Sequence, residues 1–278
     1  MSTTEGGTLS GNSILPRMLL RIKAGAELLR RKPRSDAPTI DWRTAGIRAA
    51  IAVAVFLVIC VLMDVAAIRG ARQLPRWLAE IFDFLTDFGK SAWFLWPLGL
   101  FGLAIAAAPA RLPRMVSAEL TAIAVRAGFL FLSIGLTGLF VTVVKRFIGR
   151  ARPFVGGEAN AFLYHPFEGS AAYASLPSGH ATTAFAAAFA IGLLWPRLRP
   201  AMWIYAIIIA ISRVVLTAHH PSDVLAGALV GVAGVLLIRN YFAARRLVFG
   251  ISSNGQITAY PGPSLRRLKS VARALLAD

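Results

Sequence analysis

The chain has 278 residues, 56% of them hydrophobic and only 15% charged, with a formal net charge of +17. Soluble domains carry about a quarter charged residues. Here the apolar residues fall in runs of roughly 17–24, the length that crosses a hydrocarbon core of about 30 Å, which excludes a water-soluble globule. The basic residues sit at the ends of those runs and in the two tails, with no basic stripe interleaved with aromatics, which excludes a nucleic-acid binder.

In chain order, residues 1–13 are rich in Ser, Thr and Gly and read as disordered. Residues 14–32 place Ile14, Leu15, Met18, Leu19, Ile22, Leu28 and Leu29 among basic residues. That pattern suits a helix on an anionic membrane surface or a fraying basic tail. The first 43 residues are polar and basic, and the apolar run after them is longer than a signal-peptide core. A retained signal anchor is expected. Six spans are expected, at about Thr44–Met63, Ser91–Ala108, Thr121–Val144, Ala181–Trp195, Ala201–Leu216 and Val224–Ile238.

The single cysteine, Cys60, lies in the first span. It can form neither an intramolecular disulfide nor a thiolate metal site, and reads as a small buried hydrophobe. Residues 69–90 read as an extramembrane loop. Within it Trp77, Leu78, Ile81, Phe82, Phe84, Leu85 and Phe88 form an amphipathic stretch, at the interface or packed on the helices. Pro109, Arg111, Pro113 and Arg114 mark a short turn, and Arg126 is placed to snorkel to the near surface. Residues 145–180 are the longest polar interruption. Near the end, residues 247–260 alternate around Asn254-Gly255 as a hairpin does. Residues 264–276 read as a basic amphipathic helix with Leu265, Leu268, Val271 and Leu275 on one face, a docking element or an appendage.

Orientation follows the basic residues. Most of the 30 Lys and Arg lie in the N-terminal segment, the 111–114 turn, the 197–199 turn and the tail from Arg239. Six spans put all of these on one side, so both termini are expected in the cytoplasm. The 69–90 loop, the 145–180 loop and the 213–223 turn then face outward.

Three clusters fall on that outer face. They are Lys145 through Arg152-Pro153, Pro177-Ser178-Gly179-His180, and Ser212-Arg213 followed by His219 and Asp223. A phosphate monoester needs cations and hydrogen-bond donors on its oxygens. Lys145, Arg152 and Arg213 supply charge, Arg to two oxygens at once. Ser178 can donate its hydroxyl, and the amides near Gly179 can form a helix N-terminal anion site that glycine lets a ligand approach. The reaction also needs a nucleophile and an acid, and His180 and His219 can divide those roles. Asp223 lies four residues after His219. On a helix the two would share a face, and the carboxylate could fix the imidazole tautomer.

With these residues in place, the sequence resembles the type 2 phosphatidic acid phosphatase (PAP2) superfamily, which shares its core with vanadium haloperoxidases. The family pattern is Lys, six residues, Arg-Pro; then Pro-Ser-Gly-His; then Ser-Arg, five residues, His, three residues, Asp. All three parts are met in order and spacing by Lys145–Pro153, Pro177–His180 and Ser212–Asp223. The resemblance implies an all-α, six-span membrane protein with a PAP2-like catalytic domain over 44–240. A basic cytoplasmic segment (1–43) precedes it and a cytoplasmic tail (241–278) follows. It implies that His219 is a nucleophile forming a phosphohistidine, His180 the general acid, and Asp223 the group orienting His219. Lys145, Arg152, Ser178, Gly179 and Arg213 hold the phosphate. No metal or other cofactor is implied.

The implied activity is hydrolysis of a lipid phosphate or diphosphate, with undecaprenyl diphosphate, phosphatidylglycerophosphate, phosphatidic acid and lipid A as candidates. The compact Ala/Arg-rich chain suggests a bacterial inner membrane with the site on its periplasmic face. Two other readings stay open, a lipid phosphotransferase using the same phosphohistidine and a non-catalytic lipid-binding or transport protein. Outside the motif positions, Arg146 and Arg150 read as interfacial anchors or surface charges, and His165 as a loop residue. The motif spacing selects His219 over His220, which reads as an interfacial neighbour. Phe154, Phe162, Tyr164 and Phe167 line a lipid entrance or rest on the bilayer surface.

Overall fold

The computed structural model describes residues 14–34, 41–109 and 112–276. Its helices are α1 (Ile14–Leu29), α2 (Trp42–Leu62), α3 (Asp64–Arg72), α4 (Arg76–Thr86), α5 (Ala92–Ala107), α6 (Arg114–Ile148), α7 (Gly179–Leu194), α8 (Arg199–Val215), α9 (Pro221–Ala244) and α10 (Leu265–Leu276). A hairpin of β1 (Phe249–Ile251) and β2 (Ile257–Ala259) stands between the last two, with Phe249 opposite Ala259. The disorder expected for residues 1–13 and the side chain of Arg111 lie outside the described residues.

Among the described residues, five helical stretches are long and apolar enough to cross a membrane. These are α2, α4 with α5, α6, α8 with the turn before it, and α9. On α2, Ile51, Leu57, Val61 and Leu62 all point outward. That arrangement is unfavourable in water and ordinary in hydrocarbon. The sixth expected span, α7, is apolar but has 16 residues. It packs between α6, α8 and α9, so much of its surface meets protein. It starts after Pro177-Ser178 and stops before Pro196, which cannot continue a helix.

Small residues bring these helices together. Ala181, Ala184, Ala186, Ala187, Ala188 and Ala190 of α7 are fully buried. A Cβ at Gly227 of α9 would stand 2.5 Å from the carbonyl oxygen of Ser178, and one at Gly231 2.7 Å from that of Thr182. Close backbone approach of this kind replaces the hydrophobic drive that lipid removes.

Several elements differ from expectation. Residues 69–90 are mostly helix. α3 continues almost directly from α2, and α4 packs on α8, one of the two placements expected for that stretch, with Trp77, Ile81 and Phe84 left exposed. α6 runs past the expected 121–144 at both ends, because Glu119, Lys145 and Arg146 are polar yet compatible with a helix. It stops at Gly149, whose φ of 63° is left-handed, and where a Cβ would collide with the carbonyl of His165. α9 begins at Pro221 rather than Val224, since proline suits the first helical position.

The far end of the bundle is closed by the termini. Phe129 of α6 meets Phe242 and Phe249 edge-on, with centroids 5.5 and 4.9 Å apart. Arg126 donates to the carbonyls of Tyr260 and Pro261 and so ties down the tail. Val271 of α10 packs with Val116 and Leu120. Arg21 of α1 donates to the carbonyls of Ile105 and Pro109 just past α5, satisfying acceptors that a helix end leaves free.

Candidate active site

At the other end α2, α6 and α8 finish and α5, α7 and α9 begin, and all three sequence clusters meet there. Ser178 caps α7, and its backbone N–H donates to the carbonyl of Asp223 at 3.0 Å, joining the second cluster to the third. The first cluster is folded in by Arg150, Ala151 and Arg152. Their backbones bond to Ser175, Leu163 and Ala172 respectively.

The cationic side chains converge. Lys145 lies within electrostatic reach of Arg152, Arg213 and Asp223. Its ammonium stands 3.6 Å from where a Cβ on Gly179 would be. His180 feels Arg213, His219, Lys90 and Lys145. Three donors here are buried with no hydrogen-bond partner among the described residues: Ser178 Oγ, Arg152 Nε and Arg213 Nε. Buried polar groups are nearly always paired, so three such donors beside two histidines mark a place for an anion. Among the described residues Arg213 has one side-chain bond, from Nη1 to Thr86 Oγ1 at 2.7 Å.

A cavity of about 460 Å³ reaches His180 and Gly179 from the side. Its walls include Leu95, Ile134, Gly135, Gly138 and Leu139 on α5 and α6. An apolar wall leading to a cationic pocket suits a phosphate carried on a lipid. Among the described residues, no three His, Cys, Asp or Glu side chains are grouped to hold a metal ion.

Behind the histidines lies a second, saturated network. Arg150 is fully buried, not an anchor. Its Nη1 donates to Asp223 Oδ1 at 2.6 Å and Ser222 Oγ at 2.7 Å. Its Nη2 donates to Asp64 Oδ2 at 2.7 Å, with Cys60 Sγ at 3.4 Å, and Nε donates to the carbonyl of Ala161 at 3.1 Å. Burial alone would lower its pKa, but Asp223 and Asp64 push it up, so the charge is kept. Ser222 donates its N–H and hydroxyl to Asp64. Arg146, by contrast, is exposed, as expected.

His220 is also fully buried rather than interfacial. It caps α9, and its N–H donates to Asp223 Oδ2 at 2.9 Å. His219 therefore stands before the helix, and the shared helical face expected for His219 and Asp223 does not form. Nδ1 of His219 is 3.8 Å from Asp223 Oδ2. Burial pushes the His219 imidazole down to about 4. The Asp223 carboxylate pulls the other way, while Arg213 and Arg152 add to the lowering. Asp64, Thr86 and Ser175 went unnoticed in the sequence. Only Asp64 carries a signal there, as a lone carboxylate at the end of an apolar run, where it needs a partner.

His165 stays in the loop, with its ring against Tyr173. Phe162 and Phe167 are exposed, and Phe154 lies under the guanidinium of Arg72.

Residues 126–247 match the family model of the PAP2 superfamily. The chain is 35% identical over 224 residues to a lipid A 1-phosphatase of Rhizobium johnstonii, covering 77% of this chain and 91% of that protein. It is 37% identical over 190 residues to a lipid A 1-phosphatase of Rhizobium etli, covering 67% and 81%. Among solved structures it is similar to a transmembrane PAP2 type phosphatidylglycerolphosphate phosphatase from Bacillus subtilis, with a TM-score of 0.47 and 22% identity over 69% of this chain and 94% of that one. It is also similar to LpxE of Aquifex aeolicus, with a TM-score of 0.45 and 23% identity over 63% and 94%. Its family model match and its curated relatives agree with the three sequence clusters, and the chain belongs to the PAP2 superfamily, in the branch of membrane lipid phosphatases.

Proposed function

We propose that this protein removes a phosphate from lipid A, at its 1-position, through a phosphohistidine on His219. The observation that carries the reading is the set of unpartnered buried donors on Ser178, Arg152 and Arg213, set beside His180 and His219. Lys145 and the Gly179 amide complete the cradle. The substrate phosphate settles among these donors while its acyl chains stay in hydrocarbon along α5 and α6. With Nδ1 of His219 turned toward Ser175 and Asp223, Nε2 is the nitrogen left for attack. It bonds to phosphorus as the bond to the lipid oxygen breaks, and His180 gives that oxygen its proton. Water then attacks the phosphohistidine, His180 takes the proton back, and inorganic phosphate leaves. The cations stabilise the charge that builds on the equatorial oxygens. The basic tails and turns support cytoplasmic termini and a periplasmic site in a bacterial inner membrane. The choice of lipid A rests on the names of the curated relatives.

The test is phosphate release by detergent-purified protein, with EDTA present and no acceptor lipid. The panel is lipid A, undecaprenyl diphosphate, phosphatidylglycerophosphate and phosphatidic acid. Lipid A is expected to turn over fastest. His219→Ala is expected to lose about 10⁴-fold or more in kcat, as removal of a nucleophile does. A His219→Ala protein within tenfold of the natural rate would sink the mechanism. Turnover of another lipid alone would move the substrate.

A further inference from the structure

Asp223 and His219 do not touch. Their nearest polar atoms, Oδ2 and Nδ1, are 3.8 Å apart, beyond hydrogen-bond range. Between them stands Ser175, fully buried on the loop before α7. Its hydroxyl donates to Asp223 Oδ2 at 2.6 Å and lies 3.3 Å from His219 Nδ1. The rest of the carboxylate is occupied. Oδ2 also accepts the N–H of His220 at 2.9 Å, with His220 Nδ1 at 3.3 Å, and Oδ1 is held by Arg150 at 2.6 Å. An oxygen of this kind has about two lone-pair sites, so Oδ2 is filled before His219 is counted.

Proton accounting then settles the imidazole. A serine hydroxyl has one hydrogen, and the short contact spends it on Asp223. Toward His219 the same oxygen can only accept. Nδ1 must therefore carry a proton, and Nε2 must carry a lone pair.

We infer that Ser175 is a positioning residue that passes the hold of Asp223 on to His219 and sets its Nδ1–H tautomer. This rests on His219 being the nucleophile. During attack the bond from Nε2 to phosphorus makes the ring cationic. The Nδ1–H then strengthens its bond to Ser175 Oγ, whose own hydrogen is anchored on Asp223, and no proton needs to leave the ring. Removing the hydroxyl leaves a gap where Asp223 no longer reaches the ring, so either nitrogen can hold the proton.

The test uses full-length protein with ¹⁵N-labelled histidine. There are four histidines, and the signal lost in His219→Ala assigns the one of interest. At neutral pH, His219 is expected to show a protonated Nδ1 and a bare Nε2. Ser175→Ala is expected to lower kcat by about 10–100-fold, the usual cost of losing the outer partner of a working imidazole. KM should stay within about twofold, since the contact is not made to substrate. Ser175→Thr keeps the hydroxyl and should recover most of kcat. A natural protein with Nε2 protonated would overturn the inference, as would equal losses in Ser175→Ala and Ser175→Thr. If Ser175→Ala does not fold, Ser175→Gly takes its place, and full activity there would overturn the inference. An active His219→Ala removes the nucleophile reading itself. An inactive His219→Ala with a fully active Ser175→Ala removes only the role of Ser175.

Discussion

Two buried arginines serve the same site, Arg150 bonded to Asp223 and Arg213 within electrostatic reach of His219, and they are built on opposite plans. Arg150 bonds through Nε, Nη1 and Nη2, with carboxylates on two sides and serine, carbonyl and thiol acceptors between them. Arg213 is also buried, yet it makes one side-chain bond, to a neutral hydroxyl, and its Nε has none. Among the described residues no carboxylate lies within ion-pair distance of it. A buried charge is costly unless it is paired and hydrogen-bonded. Arg150 meets that requirement inside the chain and has nothing left to offer a ligand. Arg213 does not, and a phosphate would complete it. The number of partners, rather than burial or charge, separates the arginine that holds the site together from the one proposed to hold the phosphate.

The comparison can be broken at either arginine, and the larger effect is expected at Arg150. Arg150→Ala leaves Asp64 and Asp223 as neighbouring buried carboxylates with no cation, a change that costs about 3–5 kcal/mol. The expected outcome is a poor yield and a sharply lower Tm in detergent, with activity lost along with the folded protein. A variant of unchanged Tm but low kcat would show Arg150 to be part of the reacting machinery, and the contrast would fail.

Arg213→Ala should do the reverse. It removes a buried charge that Asp83 only reaches from a distance and that no described carboxylate pairs directly, so Tm should hold or rise. Loss of one donor to the transferring group should cost about 10²–10³-fold in kcat. A fall in Tm as large as that of Arg150→Ala would make the two arginines alike.

Much of this site was legible in the sequence because motif spacing survives folding. Lys145 to Arg152, Ser178 to His180 and Arg213 to Asp223 are short-range relations, and the apolar runs between them are set by bilayer thickness. The placement of α2, α5 and α8 followed the same logic to within a few residues. The partners of Arg150 were not legible. Asp64 sits 86 residues away in sequence, and no periodicity links a lone carboxylate to an arginine on another element. His219 and His220 show a subtler limit. The spacing to Asp223 favours His219 on a helix, but that helix starts at Pro221, two residues after His219. The direct contacts to Asp223 therefore fall to His220 and Ser175. α3 and α4 are not legible as separate helices, because residues 69–90 read as an extramembrane loop whose apolar stripe fits the interface or packing on the helices equally well.

His219 is where the two plans meet, and its titration sharpens the comparison. In the proposed mechanism the reacting form is the neutral ring, so protonation would switch the site off. Burial, with Arg213 and Arg152 adding to it, pushes this imidazole down to about 4, against the pull of Asp223. A group held down in this way stays neutral through pH 5–8 and charges only as pH falls toward 4. The ring signals of His219 in substrate-free protein should therefore move near pH 4, well below the ordinary 6.5 or so, whereas a titration above 6 would mean that Asp223 dominates. Substrate-free protein is the right sample, because a phosphate monoester has its own ionisation near 6. In Arg213→Ala the midpoint should rise, since one of the repelling cations is gone. If it stays in place, the cations of the cradle do not reach His219, and burial alone would have to account for its neutrality.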